Sequence, residues 1–185
     1  MIITIACFGD SLIYGFPYGP ASSWLVRVEE LCPNLRLLNY GTCGATCDDI
    51  NDNLFQTVLP QEVSCILYLG GANDLLQRRP LKFIVGDIIK AAKWSSVHNY
   101  PFILVLPWQS SDTDFNHKLM LLRSSLMQEG KSFTQILDLQ PVLLGKEQEL
   151  FLDGIHPKLT TYILLGDYTA PLLTGLMNKT KREDV

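Results

Sequence analysis

The sequence predicts an α/β fold, a three-layer α/β/α sandwich built on a mostly parallel five-stranded sheet. Three observations carry that prediction. Short apolar runs of strand length alternate along the chain with longer segments of helical period. The short runs are almost continuously apolar, the pattern of strands covered by helices on both faces. Strand and helix follow one another in regular alternation, with no internal repeat and no linker, as in a single parallel sheet wrapped by crossover helices.

The first run covers residues 2–8 and leads straight into Gly9-Asp10-Ser11. It has no basic leading segment and no room for a cleavage site, so it reads as a buried strand rather than a secretory signal, and a cytoplasmic protein is expected. Residues 22–31 place Trp24, Leu25, Val28 and Leu31 on one helical face, and Cys32-Pro33-Asn34 ends that helix. A second strand at 35–38 precedes a weaker helical segment at 48–59. A third strand at 65–69 precedes the most regular helix, 81–98, in which Ile84, Val85, Ile88, Ile89 and Ala92 form one stripe. A fourth strand at 102–106 leads to a helix at 114–129 carrying Leu119, Leu122 and Leu126, with Gly130 suited to the position after its cap. The fifth strand, 134–137, is followed by a last helix at 159–177, opened by Pro157 and kinked or broken at Pro171. Residues 1–178 therefore read as one domain, and 179–185, where Lys179, Lys181 and Arg182 stand beside Glu183 and Asp184, as a frayed tail.

The chain has 185 residues, 47% of them hydrophobic, enough for one core that stands without disulfides. A net charge of −4, with no dense run of Lys and Arg, gives no electrostatic reason to expect nucleic acid or an anionic membrane as partner. No apolar stretch is long enough for a membrane helix. The five cysteines are Cys7, Cys32, Cys43, Cys47 and Cys65. The number is odd and the spacing supplies neither a disulfide framework nor a zinc site, so no metal or other cofactor is expected. Cys7 and Cys65 lie inside apolar runs and read as small buried hydrophobes.

In a sheet of this kind ligands sit beyond the carboxyl ends of the strands, so the residues after each run are where chemistry is sought. After the first strand comes Gly9-Asp10-Ser11-Leu12. Gly9 permits a tight exit from the strand and Ser11 stands at the sheet's edge; a serine there is equally an ordinary turn or helix cap, and it becomes a nucleophile only beside a base. After the second strand comes Asn39-Tyr40-Gly41-Thr42-Cys43-Gly44-Ala45-Thr46, where Gly44 can bring a backbone N–H close to a ligand, or where the loop simply leads into a helix capped by Thr46 or Asp48. After the third comes Gly70-Gly71-Ala72-Asn73-Asp74; the Asn73 amide can face a developing oxyanion or cap a turn. Near the end, Asp153-Gly154-Ile155-His156 puts a carboxylate one turn from an imidazole, close enough to fix its tautomer. Each segment alone has a bland reading. Together they supply nucleophile, base, orienting carboxylate and oxyanion donors at one edge of one sheet.

These segments, in this order, resemble the conserved blocks of the SGNH hydrolase superfamily, the GDSL esterases and lipases of thioesterase-I-like type. The resemblance runs from position 9 to position 156. It implies a flavodoxin-like SGNH hydrolase fold and metal-free hydrolysis. It also implies roles: Ser11 as nucleophile, His156 as general base, Asp153 as its orienting partner. The oxyanion hole is then the Ser11 and Gly44 backbone N–H groups with the Asn73 side chain. Asp10 and Asp74 are expected to support the loops without reacting. Cys43, beside Gly44, places a thiol near the site. His98 and His117 have no matched partners and read as helix-end or surface residues.

Ile13, Tyr14, Phe16, Pro17 and Tyr18 after the nucleophile, and Pro107-Trp108-Gln109 after the fourth strand, either line a substrate pocket or pack the rim of the fold. Members of the resembled family cleave short-chain esters, thioesters, lysophospholipids or acetyl groups on carbohydrates, and a chain this short leaves little room for a lid. The expected function is hydrolysis of a small-molecule acyl ester. An acyltransferase using the same triad, or a catalytically inactive binding module on the same fold, are the alternatives. A nucleotide- or flavin-binding domain lacks its glycine fingerprints here.

Overall fold

The computed structural model describes residues 2–183, with the side chains of residues 147 and 178–183 outside that description. Five strands form one sheet: β1 (Ile3–Gly9), β2 (Leu35–Gly41), β3 (Val63–Leu69), β4 (Phe102–Val105) and β5 (Gln135–Leu137). Their spatial order is β2-β1-β3-β4-β5, and every pairing is parallel. The chain leaves β1 toward one side, to β2, and then crosses to the other, to β3. The ends of β1 and β3 are thus the switch point at which such sheets open a crevice.

The helices are α1 (Ser11–Tyr14), α2 (Trp24–Leu31), α3 (Cys47–Gln56), α4 (Ala72–Leu76), α5 (Leu81–Val97), α6 (Thr113–Gln128), α7 (Glu147–Leu150) and α8 (Leu159–Glu183). Alternation along β1 divides the interior in two. Ile3, Ile5 and Cys7 face Trp24, Leu25 and Val28 of α2 and Tyr162 and Leu165 of α8. Ala6 and Phe8 face the opposite layer, which holds Ile50 and Leu54 of α3, Ile84 and Ile88 of α5, and Leu119 and Leu122 of α6. Each of the larger side chains contributes about 1.5–3 kcal/mol by leaving water. The two layers explain why both faces of each strand had to be apolar. Cys7 and Cys65 are buried in the first layer and Cys47 in the second, all as free thiols.

Most predicted elements are found within a few residues of their expected limits, and the differences have local causes. The third helix begins at Cys47 rather than 48 because Thr46 caps it, with the Thr46 hydroxyl and the Asp49 carboxylate bonding each other's backbone N–H. It stops at Gln56, short of the expected 59. Gly130 follows the α6 cap, Glu129, but opens a short 3-10 turn (Gly130–Ser132) instead of taking a left-handed conformation. Pro171 does not break the last helix. Leu165, Ala170 and Leu173 are buried on one side of it, and that packing outweighs the hydrogen bond that proline cannot make. The backbone of α8 runs on to Glu183, so the expected tail falls on residues whose side chains, or in 184 and 185 the whole residue, lie outside the described ones. The short α1, α4 and α7 were not expected.

Candidate active site

β1 ends at Gly9, and no larger residue fits there: a Cβ would stand 2.5 Å from the Leu69 carbonyl oxygen and against the Ile13 side chain. Asp10 caps the short helix α1, its Oδ1 accepting from the Leu12 N–H at 2.9 Å. Ser11 is therefore the first residue of a helical turn laid across the carboxyl ends of the strands. Its hydroxyl lies 3.0 Å from Nε2 of His156, a contact between residues 145 positions apart. His156 Nδ1 is 2.7 Å from Asp153 Oδ2. The other carboxylate oxygen, Oδ1, accepts from the backbone N–H groups of His156 at 2.8 Å and Ile155 at 3.1 Å. The turn that allows this is closed by Gly154, whose φ of +91° favours glycine.

The electrostatics follow from these bonds. Partial burial pushes the Asp153 carboxyl up, but the N–H groups of His156 and Ile155 and the His156 ring outweigh it and hold Asp153 below the ordinary carboxylate range. Asp153 is thus an anion beside the imidazole across the neutral range. Its partner, with Nδ1 committed to Asp153, turns Nε2 toward the serine. Asp10 behaves in the opposite way. Complete burial pushes its carboxyl up to about 6, against the Leu12 N–H and the nearby His156.

The two loops beside Ser11 are tied to it and to each other. The Thr42 N–H donates to the Gly9 carbonyl at 2.9 Å, which holds the β2–α3 loop against the end of β1. In that loop Gly44 has a φ of +78°. Among the described residues neither its N–H nor that of Ser11 donates to a protein acceptor. Asn73, on α4, donates one amide hydrogen to the Ala45 carbonyl at 2.9 Å, which orients the side chain and leaves the second hydrogen uncommitted. Asp74, fully buried, accepts from the Cys47 N–H at 2.8 Å and pairs with Arg79 at 2.8 Å. Arg79 also reaches Asp87 at 2.6 Å. A buried carboxylate is thereby neutralised while it fastens the start of α3 to α4.

Other expectations are sorted by burial. Ile13 and Trp108 belong to the core and line no open surface. The Gln109 N–H is used by the Gln140 side chain. Tyr14 is half-buried, whereas Phe16 and Tyr18 are exposed beside the site. Cys43 is exposed, and the slight burial of its thiol together with nearby Asp10 raises its pKa, the opposite of what an activated thiolate needs. His98 caps α5, bonding the Trp94 carbonyl through Nδ1 at 2.8 Å and stacking on the Trp94 ring; His117 is exposed on α6. Sequence reasoning missed Arg79 and the contact of the Phe16 ring with the His156 ring, centroids 4.6 Å apart. The ring contact has no local signal, since its partners stand far apart in the chain, whereas Arg79 stands close in sequence to both Asp74 and Asp87, a charge spacing that sequence reasoning did not single out. Among the described residues no group of three or more His, Cys, Asp and Glu stands together as a metal site would require, and no helix is long and apolar enough to cross a membrane.

Solved structures share this architecture over nearly their whole length. A member of the lipolytic protein G-D-S-L family from Veillonella parvula superposes with a TM-score of 0.81 at 22% identity, over 93% of this chain and 98% of that one. The esterase EstA from Pseudoalteromonas, in a structure inhibited by monoethylphosphonate, gives 0.78 at 18% identity, over 95% and 98%. The chain has the SGNH/GDSL hydrolase fold. An acetylxylan esterase from Geobacillus stearothermophilus shares the SGNH/GDSL fold at a TM-score of 0.75 and 15% identity, over 89% of this chain and 91% of that one. No protein-family model and no curated protein matches the sequence. In this SGNH/GDSL fold the Ser11, Gly44 and Asn73 segments follow the carboxyl ends of β1, β2 and β3, and the Asp153–His156 turn immediately precedes α8.

Proposed function

We propose that this chain is a serine hydrolase that cleaves small acyl esters at Ser11. The observation that carries the reading is the unbroken relay from the Ser11 hydroxyl to His156 Nε2 at 3.0 Å and from Nδ1 to Asp153 at 2.7 Å. The SGNH/GDSL fold, shared with an esterase and an acetylxylan esterase, supports it. In this reading Ser11 Oγ attacks the acyl carbon while His156 Nε2 takes its proton. The tetrahedral oxyanion is met by the Ser11 and Gly44 N–H groups and by the free hydrogen of the Asn73 amide. When the intermediate collapses, His156 returns the proton to the departing alkoxide and the acyl group stays on Ser11. Water, deprotonated by the same imidazole, then releases the acid and restores the serine. Asp153 stabilises the imidazolium in both halves without taking its proton. Asp10 and Asp74 hold the loops.

The exposed surroundings favour a small or extended substrate whose ester reaches an open surface; Asp153 itself is 52% exposed. The experiment is hydrolysis of p-nitrophenyl acetate, butyrate and octanoate by the wild type and by Ser11→Ala, with fluorophosphonate labelling of both. Turnover that favours acetate or butyrate and falls to background in Ser11→Ala, with labelling lost in step, is the expected result. Equal turnover by both proteins refutes the assignment of Ser11. A strong preference for octanoate refutes the small acyl group.

A further inference from the structure

Phe16 does two things at once in this fold. Its ring lies against the imidazole of His156, centroids 4.6 Å apart and planes tilted by 54°. Its backbone is held from two sides. The Phe16 N–H donates to the Ser11 carbonyl at 3.1 Å, and the Phe16 carbonyl accepts from the Tyr162 hydroxyl at 2.9 Å. Tyr162 sits in the core at the start of α8, its ring almost wholly buried and met edge-on by Tyr18. Burial, with Asp10 nearby, pushes its phenol well above the ordinary range, so the hydroxyl remains a donor. One short segment thus touches the serine's own backbone, the ring of the base and the helix that follows the base.

His156 has need of such support. Its two ring nitrogens are held only by hydrogen bonds, Nε2 to Ser11 and Nδ1 to Asp153, and Asp153 is the more exposed of the ion-paired two. A ring that swings loses the serine. On the proposed reading that Ser11 and His156 are nucleophile and base, we infer that Phe16 is a positioning residue for His156, and that Tyr162 acts through it. The aromatic face walls one side of the imidazole and keeps Nε2 on Ser11. Groups facing His156 on its other contacts are Ser11 and Asp153, and Asp10 is close enough to interact with it electrostatically.

The test uses Phe16→Leu, which keeps apolar bulk, Phe16→Tyr, which keeps the ring, and Tyr162→Phe, which removes only the hydroxyl. Melting curves check that each variant is folded. Phe16→Leu is expected to lower kcat roughly ten-fold with KM within two-fold, as a displaced base does. Phe16→Tyr stays near wild type. Tyr162→Phe lowers kcat by a smaller factor, and the double variant Phe16→Leu/Tyr162→Phe is no slower than Phe16→Leu alone, because the two act through one contact. A rise in KM at unchanged kcat overturns the inference and makes Phe16 a wall of the substrate site. Additive losses overturn the part given to Tyr162. If the wild type cleaves no ester, the reading of the site fails separately, and the inference is decided in the resting protein. There the His156 Nδ1–H proton resonance is expected to be sharp in wild type and Phe16→Tyr and exchange-broadened in Phe16→Leu. Equal sharpness in all three overturns it.

Discussion

Asp10 is a carboxyl group held where its charge is disfavoured. With its pKa raised by burial to about 6, from 3.8 in an unfolded chain, the folded state binds the Asp10 proton more tightly than the unfolded one does. The stability from this residue is fully present below pH 3.8 and is lost as pH rises through about 6. Asp153 has the opposite sign: its pKa is lowered, so its contribution is present above the ordinary carboxylate range and lost only on further acidification. Between pH 4 and pH 7 the two are separable. Asp10→Asn keeps an acceptor for the Leu12 N–H and removes the charge. It is expected to gain on the wild type by about 2–3 kcal/mol across that interval, as read by urea denaturation at each pH. A difference that does not change with pH would mean Asp10 is not protonated on folding. At Asn73 the expectation is kinetic. Asn73→Ala removes a proposed oxyanion donor and is expected to cut kcat by about 10²–10³, or about 3–4 kcal/mol, with little change in KM. A rise in KM alone would place the amide on the ground state. Ser11, Asn73, Asp153 and His156 could be singled out in the sequence because four short blocks, each bland alone, stand together at the strand ends and before the last helix, and the structure brings Ser11, His156 and Asp153 within hydrogen-bond distance. The contact that Phe16 makes was not legible, because its partner His156 stands far along the chain, and Arg79 was not, because its pairing with Asp74 and Asp87, a few positions to either side, depends on the turn between α4 and α5.

At the scale of elements, the strands and the long helices could be read because hydrophobic period and length agree. α1 and α4 could not, since four or five residues are too few to show a period. They are instead fixed by what surrounds them. Asp10 caps α1, and Gly71 enters α4 with a φ of +105°. At Pro171 the break does not occur, for the converse reason: a local breaker was weighed without the packing that overrides it. The contact between α2 and α8 shows how close that packing is. A Cβ on Gly166 would stand 2.5 Å from the Arg27 Cβ and 2.8 Å from the Trp24 carbonyl oxygen. Gly166→Ala, favourable in a free helix, is therefore expected to destabilise the protein by about 1–3 kcal/mol through forced separation of the two helices. Thermal melting decides it, and a raised midpoint would show that α8 can move away without loss.

For the whole molecule, the feature with the widest reach is the bond between Ser11 and His156, whose partners stand 145 positions apart. Nothing local brings them together; the β2-β1-β3-β4-β5 sheet must form and α8 must dock before the imidazole meets the hydroxyl. Joining groups so distant in sequence is the slow part of building a parallel α/β protein, whereas its helices form early. On the proposed reading, Ser11 is then an unreactive alcohol for most of the folding reaction and a nucleophile only at its end. After dilution from denaturant, fluorophosphonate labelling is expected to lag behind the far-ultraviolet helical signal and to return with the near-ultraviolet signal of packed aromatic residues. Labelling that returns with the helices would show that β1 and α8 find each other before the sheet is complete. If Ser11 is that nucleophile, reactivity acquired last also means that a chain still being assembled cannot attack the esters around it.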